Sequence, residues 1–144
     1  MPDLAARRDP IEILTDQDEA RLQGLVPIRH GRMAVSAFTF YRGSAAVQAA
    51  DLSNTPKTDL SVQLCGDAHL SNFGLFNGPD RRLVFDLNDF DESHPGPFEW
   101  DVKRLAASVV VAGRNNELAP DKIDRAARAA VTAYREGIER CAEM

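Results

Sequence analysis

The chain has 144 residues, which is enough for one domain with a hydrophobic core. Hydrophobic residues make up 44% and charged residues 27% of the sequence, both ordinary values for a globular protein. The net charge of −5 argues against a nucleic-acid or anionic-membrane surface as the main partner. Two cysteines make no disulfide framework, and neither a signal peptide nor a membrane span is evident, so we expect a cytoplasmic protein.

The first part of the chain predicts an N-terminal arm followed by helices. We expect residues 1–15 to be irregular and residues 16–25 to form a short helix. A helical turn with a basic face is predicted at 28–34. The bulky apolar positions of residues 36–50 favour one largely buried helix there.

The middle of the chain predicts a strand and a hairpin. Residues 61–64 alternate polar and apolar side chains, which is typical of a half-buried strand. Apolar runs at 73–76 and 83–85 are joined by Asn-Gly-Pro-Asp at 77–80, a strong turn signal. These segments therefore predict two antiparallel strands with a tight connection.

Polar loops lie at both ends of the predicted hairpin. The loop that precedes it carries Asp67 and Asn72, and the segment that follows carries Asp86, Asp89 and Asp91. Because a hairpin brings its two ends together, we expect these loops to lie side by side. Several oxygen ligands at one place favour a hard divalent cation such as Mg²⁺.

The C-terminal part predicts a connector and two helices. The proline-rich segment 93–97 is interpreted as a rigid connector, and residues 98–112 show apolar positions at helical spacing. Gly113 is a plausible stop, and Pro120 fits the first turn of a last helix. Since its apolar stripe runs to Met144 without a stop signal, we expect the chain to be a fragment of a longer protein.

The motif Gly-Asp-x-His-x-x-Asn at 66–72, followed by a hairpin and Phe85-Asp86-Leu87, resembles the catalytic core of kinase-like phosphotransferases. Aminoglycoside and choline kinases are examples, and the resemblance covers residues 62–105. It implies an α+β fold like a kinase C-lobe, mostly helical, in which a small strand and hairpin carry the catalytic and metal loops. It also implies Mg²⁺-dependent transfer of the ATP γ-phosphoryl group to the hydroxyl of an unknown acceptor.

A closer resemblance, over residues 26–144, is to an uncharacterised bacterial family called domain of unknown function 2252. Four segments carry it: Phe40-Tyr41-Arg42-Gly43, Cys65-Gly66-Asp67-Ala68-His69, the run from Phe85 to Glu92, and the run from Pro95 to Asp101. The two resemblances together imply that residues 16–144 form a partial kinase-like catalytic domain.

The kinase-like resemblance implies specific roles for the loop residues. Asp67 would be the general base that accepts the proton of the acceptor hydroxyl. Asn72, Asp86 and Asp89 would hold Mg²⁺, whereas Asp91 is more simply a solvated charge.

Three further residues would support the site. His69 would be a hydrogen-bonding residue of the loop, and Asp101 would brace that loop from the head of a helix. Arg42 would contact phosphate or pair with the acidic loop.

The sequence departs from kinase-like enzymes in one respect. It contains no Gly-x-Gly-x-x-Gly motif, and Lys57, Lys103 and Lys122 do not occupy a Val-Ala-Ile-Lys-like strand. We expect these parts in a C-terminal continuation, so this chain alone should bind Mg²⁺–nucleotide weakly and transfer little.

Two other functions remain open. One is a metal-dependent phosphoesterase with a cluster of Cys65, Asp67, His69 and His94, although such enzymes need more histidines than the three present. The other is a non-catalytic module that keeps a kinase-like fold. Metal preference separates the first alternative from a kinase-like enzyme.

Overall fold

The computed structural model describes residues 7–144, which form a mixed α+β fold with six α-helices and two small antiparallel sheets. The prediction of a mostly helical α+β protein with a strand hairpin is confirmed. The chain divides after Asp59 into two compact units. Within the described residues, no helix is both long and apolar enough to cross a membrane.

The first unit consists of four helices: α1 (Pro10–Glu19), α2 (Val26–Met33), α3 (Ala37–Arg42) and α4 (Ala45–Ser53). Its core is a cluster of buried side chains from α1, α2 and α4, namely Ile13, Leu14, Met33 and Val47. Burial of these apolar side chains is the main force that holds such short helices together.

The helix boundaries of the first unit differ from those predicted. Helix α1 begins at Pro10 rather than at residue 16, because Asp9 caps it by accepting a hydrogen bond from Ile11 N at 2.8 Å. Residues 10–15 are therefore helical and not part of an irregular arm, while residues 1–6 of that predicted arm lie outside the described residues. The single helix predicted at 36–50 is interrupted at Gly43 and Ser44, where Ser44 has a non-helical ψ of 40°.

The second unit contains four strands in two separate pairs. Strand β2 (Phe73–Asn77) and strand β3 (Leu83–Leu87) form the predicted hairpin. Strand β1 (Ser61–Leu64) pairs with β4 (His94–Pro97), which the sequence suggested was only a connector. The polypeptide thus returns to β1 directly after the hairpin.

Strand β4 is possible despite its two prolines because of their register. Pro95 faces Gln63 and Pro97 faces Ser61 in the antiparallel pair. The next residue, Phe98, donates from N to Leu60 O at 3.2 Å, so the pair of Phe98 and Leu60 is hydrogen-bonded. Hydrogen-bonded and non-hydrogen-bonded pairs alternate along an antiparallel ladder, so the pairs that contain Pro97 and Pro95 are non-hydrogen-bonded. The missing proline N–H groups therefore fall where the ladder needs no donor.

Two long helices complete the second unit: α5 (Glu99–Asn115) and α6 (Pro120–Ala142). Helix α6 begins at Pro120 as predicted, but α5 continues through Gly113 instead of stopping there. A Cβ at Gly113 would lie 2.8 Å from Ile123 Cγ1, so this glycine allows α5 and α6 to approach closely. Phe98 stacks on Tyr134 with ring centroids 6.4 Å apart and adds an aromatic contact between the helices.

Candidate functional site

The candidate site is made of two loops of the second unit. We call residues 65–72 the Asp67 loop and residues 88–92 the acidic loop. They meet at Gly66, whose φ of 85° lies in the left-handed region. A Cβ at this position would collide with the Glu92 carbonyl group, coming within 2.7 Å of its carbon. Glycine is therefore required both by the backbone angle and by the close approach of the acidic loop.

Asn72 ties the two loops together. This buried side chain donates from Nδ2 to Asp67 O at 3.0 Å and to Asp89 O at 3.1 Å. Its own backbone carbonyl accepts from Asn88 N at 3.1 Å. The prediction that the hairpin brings the loops side by side is confirmed. The Asn72 nitrogen faces the two carbonyls, which leaves its amide oxygen as the group to consider for a metal.

Helix α5 braces the start of the Asp67 loop through Asp101. Its carboxylate accepts hydrogen bonds from Cys65 N at 2.7 Å and from Gly66 N at 3.0 Å. Hydrogen bonds to an ionised carboxylate are among the stronger ones in proteins. The contact that the kinase-like resemblance implied for Asp101 is therefore present in this chain.

Asp67 itself forms an ion pair with Arg104 of α5. Arg104 donates from Nε to Asp67 Oδ1 at 2.7 Å, and its Nη2 contacts the same oxygen. His69 Nε2 lies 3.5 Å from the other oxygen, Oδ2. All three residues are buried, Arg104 with only 2% of its surface exposed. The carboxylate of Asp67 is thus held between a guanidinium group and an imidazole ring.

Ser108 provides a third contact from α5. Its side chain is fully buried, accepts from Leu70 N at 3.0 Å and donates to Leu105 O at 2.7 Å. Asp101, Arg104 and Ser108 are spaced three and four residues apart and therefore lie on one side of the helix. We call these three residues the α5 polar face.

Sequence reasoning missed two members of this face, Arg104 and Ser108, as well as Glu92. The available signal was the spacing of three polar residues, Asp101, Arg104 and Ser108, among apolar positions of a helix. On its own that pattern is equally typical of a solvated surface.

Asp86 lies in a different environment from Asp67. It sits in β3 opposite Gly74, is exposed, and its Oδ1 accepts from Leu87 N at 2.8 Å. Opposite residues of an antiparallel pair share a face, so Asp86 projects from the face opposite to that of Phe73 and Leu87. Because Asp86 is exposed, its carboxylate can be hydrated and needs no buried partner in this strand.

The remaining predicted residues are placed as follows. Asp89 is exposed, and its Oδ1 accepts from Asp91 N at 3.3 Å. Arg42 ends α3 in the first unit, whereas the loops belong to the second unit, so its role stays a prediction. His94 contacts the end of the acidic loop through Nδ1, which lies 2.8 Å from Glu92 O.

The described part of the chain contains no group of three His, Cys, Asp or Glu side chains that could hold a metal ion. The cluster expected of a phosphoesterase, Cys65 with Asp67, His69 and His94, is therefore not assembled. Mg²⁺ needs less from a protein, since one or two carboxylates commonly suffice beside water and phosphate oxygens. The donor types at Asn72, Asp86 and Asp89, one amide and two carboxylates, fit that requirement.

The local field at the two loops is negative. Burial raises the pKa of Glu92, and the charges of Asp67, Asp89 and Asp91 raise it further. Burial likewise raises the pKa of the Cys65 thiol, with smaller contributions from nearby carboxylates, against a backbone hydrogen bond that lowers it. The thiol stays protonated and donates to Asp89 O at 3.3 Å. A cation bound near the acidic loop would be stabilised by this field.

An apolar cavity of about 570 Å³ lies next to this arrangement in the second unit. Val102 and Leu105 of α5, Phe73 and Leu87 of the hairpin and Tyr134 of α6 contribute to its walls. Asp101 reaches it as well, whereas Asp67 does not line it. The cavity is therefore distinct from the polar contacts that hold the Asp67 carboxylate.

A sequence model of the family DUF2252, described as uncharacterised proteins conserved in bacteria, matches residues 21–144. The match covers most of the chain and includes both loops and the α5 polar face. No curated protein and no solved structure matches the chain.

Proposed function

We propose that this chain, which belongs to the DUF2252 family of bacterial proteins, is part of a Mg²⁺-dependent phosphotransferase of kinase-like fold. The reaction moves the γ-phosphoryl group of ATP to a hydroxyl group of an acceptor. The proposal unites the Gly-Asp-x-His-x-x-Asn motif with the loop contacts that surround it.

The observation that carries the proposal is the preorganisation of Asp67. The backbone on its N-terminal side is held by Asp101, the backbone on its C-terminal side by Ser108, and its carboxylate by Arg104. Phosphoryl transfer depends mainly on positioning and on charge stabilisation, because its transition state is loose. A carboxylate fixed at one place in a loop is suited to orient an attacking hydroxyl.

In the proposed step, the acceptor oxygen forms a bond to the γ-phosphorus while the bond from that phosphorus to the β–γ bridging oxygen breaks. The hydroxyl proton passes to the Asp67 carboxylate, and ADP leaves with the electron pair of the broken bond. Asn72, Asp86 and Asp89 would hold Mg²⁺, which neutralises charge on the phosphates when it is bound. Asp67 contributes orientation and accepts the proton.

The test is Mg²⁺-dependent consumption of ATP, measured for this chain and for the complete product of its gene. Asp67→Asn and Asp86→Asn are each expected to remove most of the activity, because they remove the proton acceptor and a metal ligand. Asp80→Asn is the matched control, since Asp80 is an exposed aspartate in the turn of the same hairpin. Its activity should equal that of the unchanged protein.

Two outcomes would overturn the proposal. One is that no tested form consumes ATP with Mg²⁺ although circular dichroism shows it folded. The other is that Asp86→Asn and Asp80→Asn retain the same activity, which would exclude a metal role for Asp86.

A non-catalytic binding module is the second candidate, and one observation favours it. Asp67 is paired with a buried arginine, as expected for an aspartate whose role is to fix a loop. In that case Asp67→Asn should lower stability, and neither the variant nor the unchanged protein should consume ATP. The ATP assay on the complete gene product separates the two candidates.

A further inference from the structure

We infer that Arg104 is a positioning residue that fixes the orientation of the Asp67 carboxylate for transfer. This inference rests on the proposed phosphotransferase function and adds to it a residue outside the loop motif.

The backbone of the Asp67 loop is supported by residues other than Arg104. Asp101 accepts from Cys65 N and Gly66 N, and Ser108 accepts from Leu70 N. These contacts fix the main chain on both sides of Asp67 without any part of Arg104. The bonds from Arg104 to Asp67 Oδ1 add a restraint on the rotation of the Asp67 side chain.

The geometry of the contact between Arg104 and Asp67 singles out one carboxylate oxygen. Two guanidinium nitrogens, Nε and Nη2, meet one oxygen, Oδ1, and the guanidinium plane cannot pivot freely around two contacts. Oδ2 lies 3.5 Å from His69 Nε2, which is long for a good hydrogen bond. Oδ1 is thus the anchored oxygen, and Oδ2 is the oxygen that this anchoring presents to an acceptor hydroxyl.

The side chains of Arg104 and Asp67 are both buried. Arg104 is 2% exposed and Asp67 9% exposed, so water does not readily replace the guanidinium group if it is removed. Lysine at this position keeps the positive charge but offers one nitrogen at the end of a flexible stem. Arg104→Lys therefore keeps the positive charge and loses the orienting contacts, whereas Arg104→Met loses both.

The kinetic test compares Arg104→Lys and Arg104→Met with the unchanged complete gene product in the Mg²⁺–ATP assay. We expect kcat to fall by about 10-fold or more in Arg104→Met, since a positioned base typically contributes factors of this size. Arg104→Lys should recover part of that loss, and KM for Mg²⁺–ATP should change little in both. Unchanged kcat in Arg104→Met would overturn the inference, as would a rise in KM alone.

The second test needs no activity and uses this chain. The Arg104 Nε–H signal in NMR spectra should be protected from exchange with water, and Asp67→Asn should shift it and shorten its lifetime. Arg128 is the matched control, because it donates from Nε to Asp124 in an exposed pair at 2.8 Å. Its Nε–H should exchange rapidly, and Asp124→Asn should not alter the Arg104 signal.

The two tests separate the possible failures. A protected Arg104 signal that responds to Asp67→Asn, with no ATP consumption in any form, contradicts the proposed function and removes the role inferred from it. Suppose instead that the unchanged protein consumes ATP but the Arg104 Nε–H signal does not change in Asp67→Asn. That result contradicts the inference and leaves the proposed function intact. If Arg104→Met does not fold, Arg104→Lys is the deciding variant. A kcat of Arg104→Lys equal to that of the unchanged protein would then overturn the positioning role.

Discussion

The Asp67 loop and the β2–β3 hairpin invert the usual relation between regular structure and burial. The loop has little regular structure, yet Asp67, His69 and Asn72 within it are buried and bonded to other segments. The hairpin is a regular antiparallel pair, yet Leu75 and Phe85, directly opposite each other, are 65% and 68% exposed. Order at the loop comes from partners on α5 and on the acidic loop rather than from a backbone ladder.

The contrast extends to the aspartates of the motif. Asp67 and Asp101 take part in contacts between segments, whereas the side chain of Asp86 bonds only to its neighbour Leu87 N among the contacts described. The free energy of unfolding should therefore depend strongly on the first two residues and little on Asp86.

Gly66→Ala should have the largest effect on stability. An alanine there must adopt a left-handed φ, and its Cβ would collide with the Glu92 carbonyl group. We therefore expect the free energy of unfolding to fall by about 3 kcal/mol or more. Urea denaturation of the whole chain measures the loss. Gly31→Ala in helix α2 is the control, since nothing lies within 4 Å of its added methyl group. Equal midpoints for the two variants would show that the loops do not pack as described.

Asp101→Asn should rank next. The carboxylate accepts two backbone N–H groups, and an amide offers only one oxygen, so one donor loses its partner. The expected loss is about 2–3 kcal/mol. Asp86→Asn, the same change in the exposed hairpin, should alter the free energy of unfolding by less than about 0.5 kcal/mol. A larger effect at Asp86 than at Asp101 would reverse the comparison.

Ser108→Ala should have an intermediate effect of about 1–2 kcal/mol, because Leu70 N loses a buried acceptor. Ser53→Ala is closely matched: Ser53 Oγ donates to Ala50 O at 2.7 Å, as Ser108 Oγ does to Leu105 O, but Ser53 is exposed. Thermal denaturation of both variants isolates the contribution of the loop contact. If Ser53→Ala lowers the melting temperature as much, Ser108 does not support the loop.

Glu92→Gln should have the smallest effect, and that effect should depend on pH. The pKa of Glu92 in the folded protein is raised above its ordinary value of 4.5. The folded state therefore favours the protonated carboxyl, and this stabilisation is complete below 4.5 and lost as pH rises through the folded pKa.

The measurement is the melting temperature of Glu92→Gln relative to the unchanged chain. The variant should be more stable at pH 7, where the chain carries the unfavourable carboxylate, and the gain should shrink toward pH 4. If the increase in melting temperature of Glu92→Gln were the same from pH 4 to pH 7, the Glu92 carboxylate would not be destabilised by burial and by the neighbouring carboxylates.

The hairpin and most of the helices could be predicted because their signals are local. Asn77-Gly78-Pro79-Asp80 specifies a turn, and Pro120 marks the start of α6. Strand β4 was missed because prolines argue against a strand unless the register of the partner is known.

The candidate site was only partly predictable. The loop motif and Asp101 were identified through the resemblance to kinase-like enzymes. Arg104 and Ser108 were not, because their partners Asp67 and Leu70 lie more than 35 residues away along the chain. Contacts of that kind depend on how β1 and α5 are packed together in the fold. A local sequence pattern does not predict that packing.

Amide hydrogen exchange of this chain, followed residue by residue by NMR, tests most directly whether α5 holds the Asp67 loop in one conformation before any ligand binds. The amides of Cys65, Gly66 and Leu70 should exchange as slowly as those in the middle of α5, although they lie outside the α-helices and outside strand ladders, with Leu70 at the start of a single 3₁₀ turn. Asp101→Asn should accelerate the first two and leave the hairpin amides unchanged. Exchange of the three loop amides as fast as that of an exposed turn amide such as Asp80 would show that the loop is not fixed before a ligand binds.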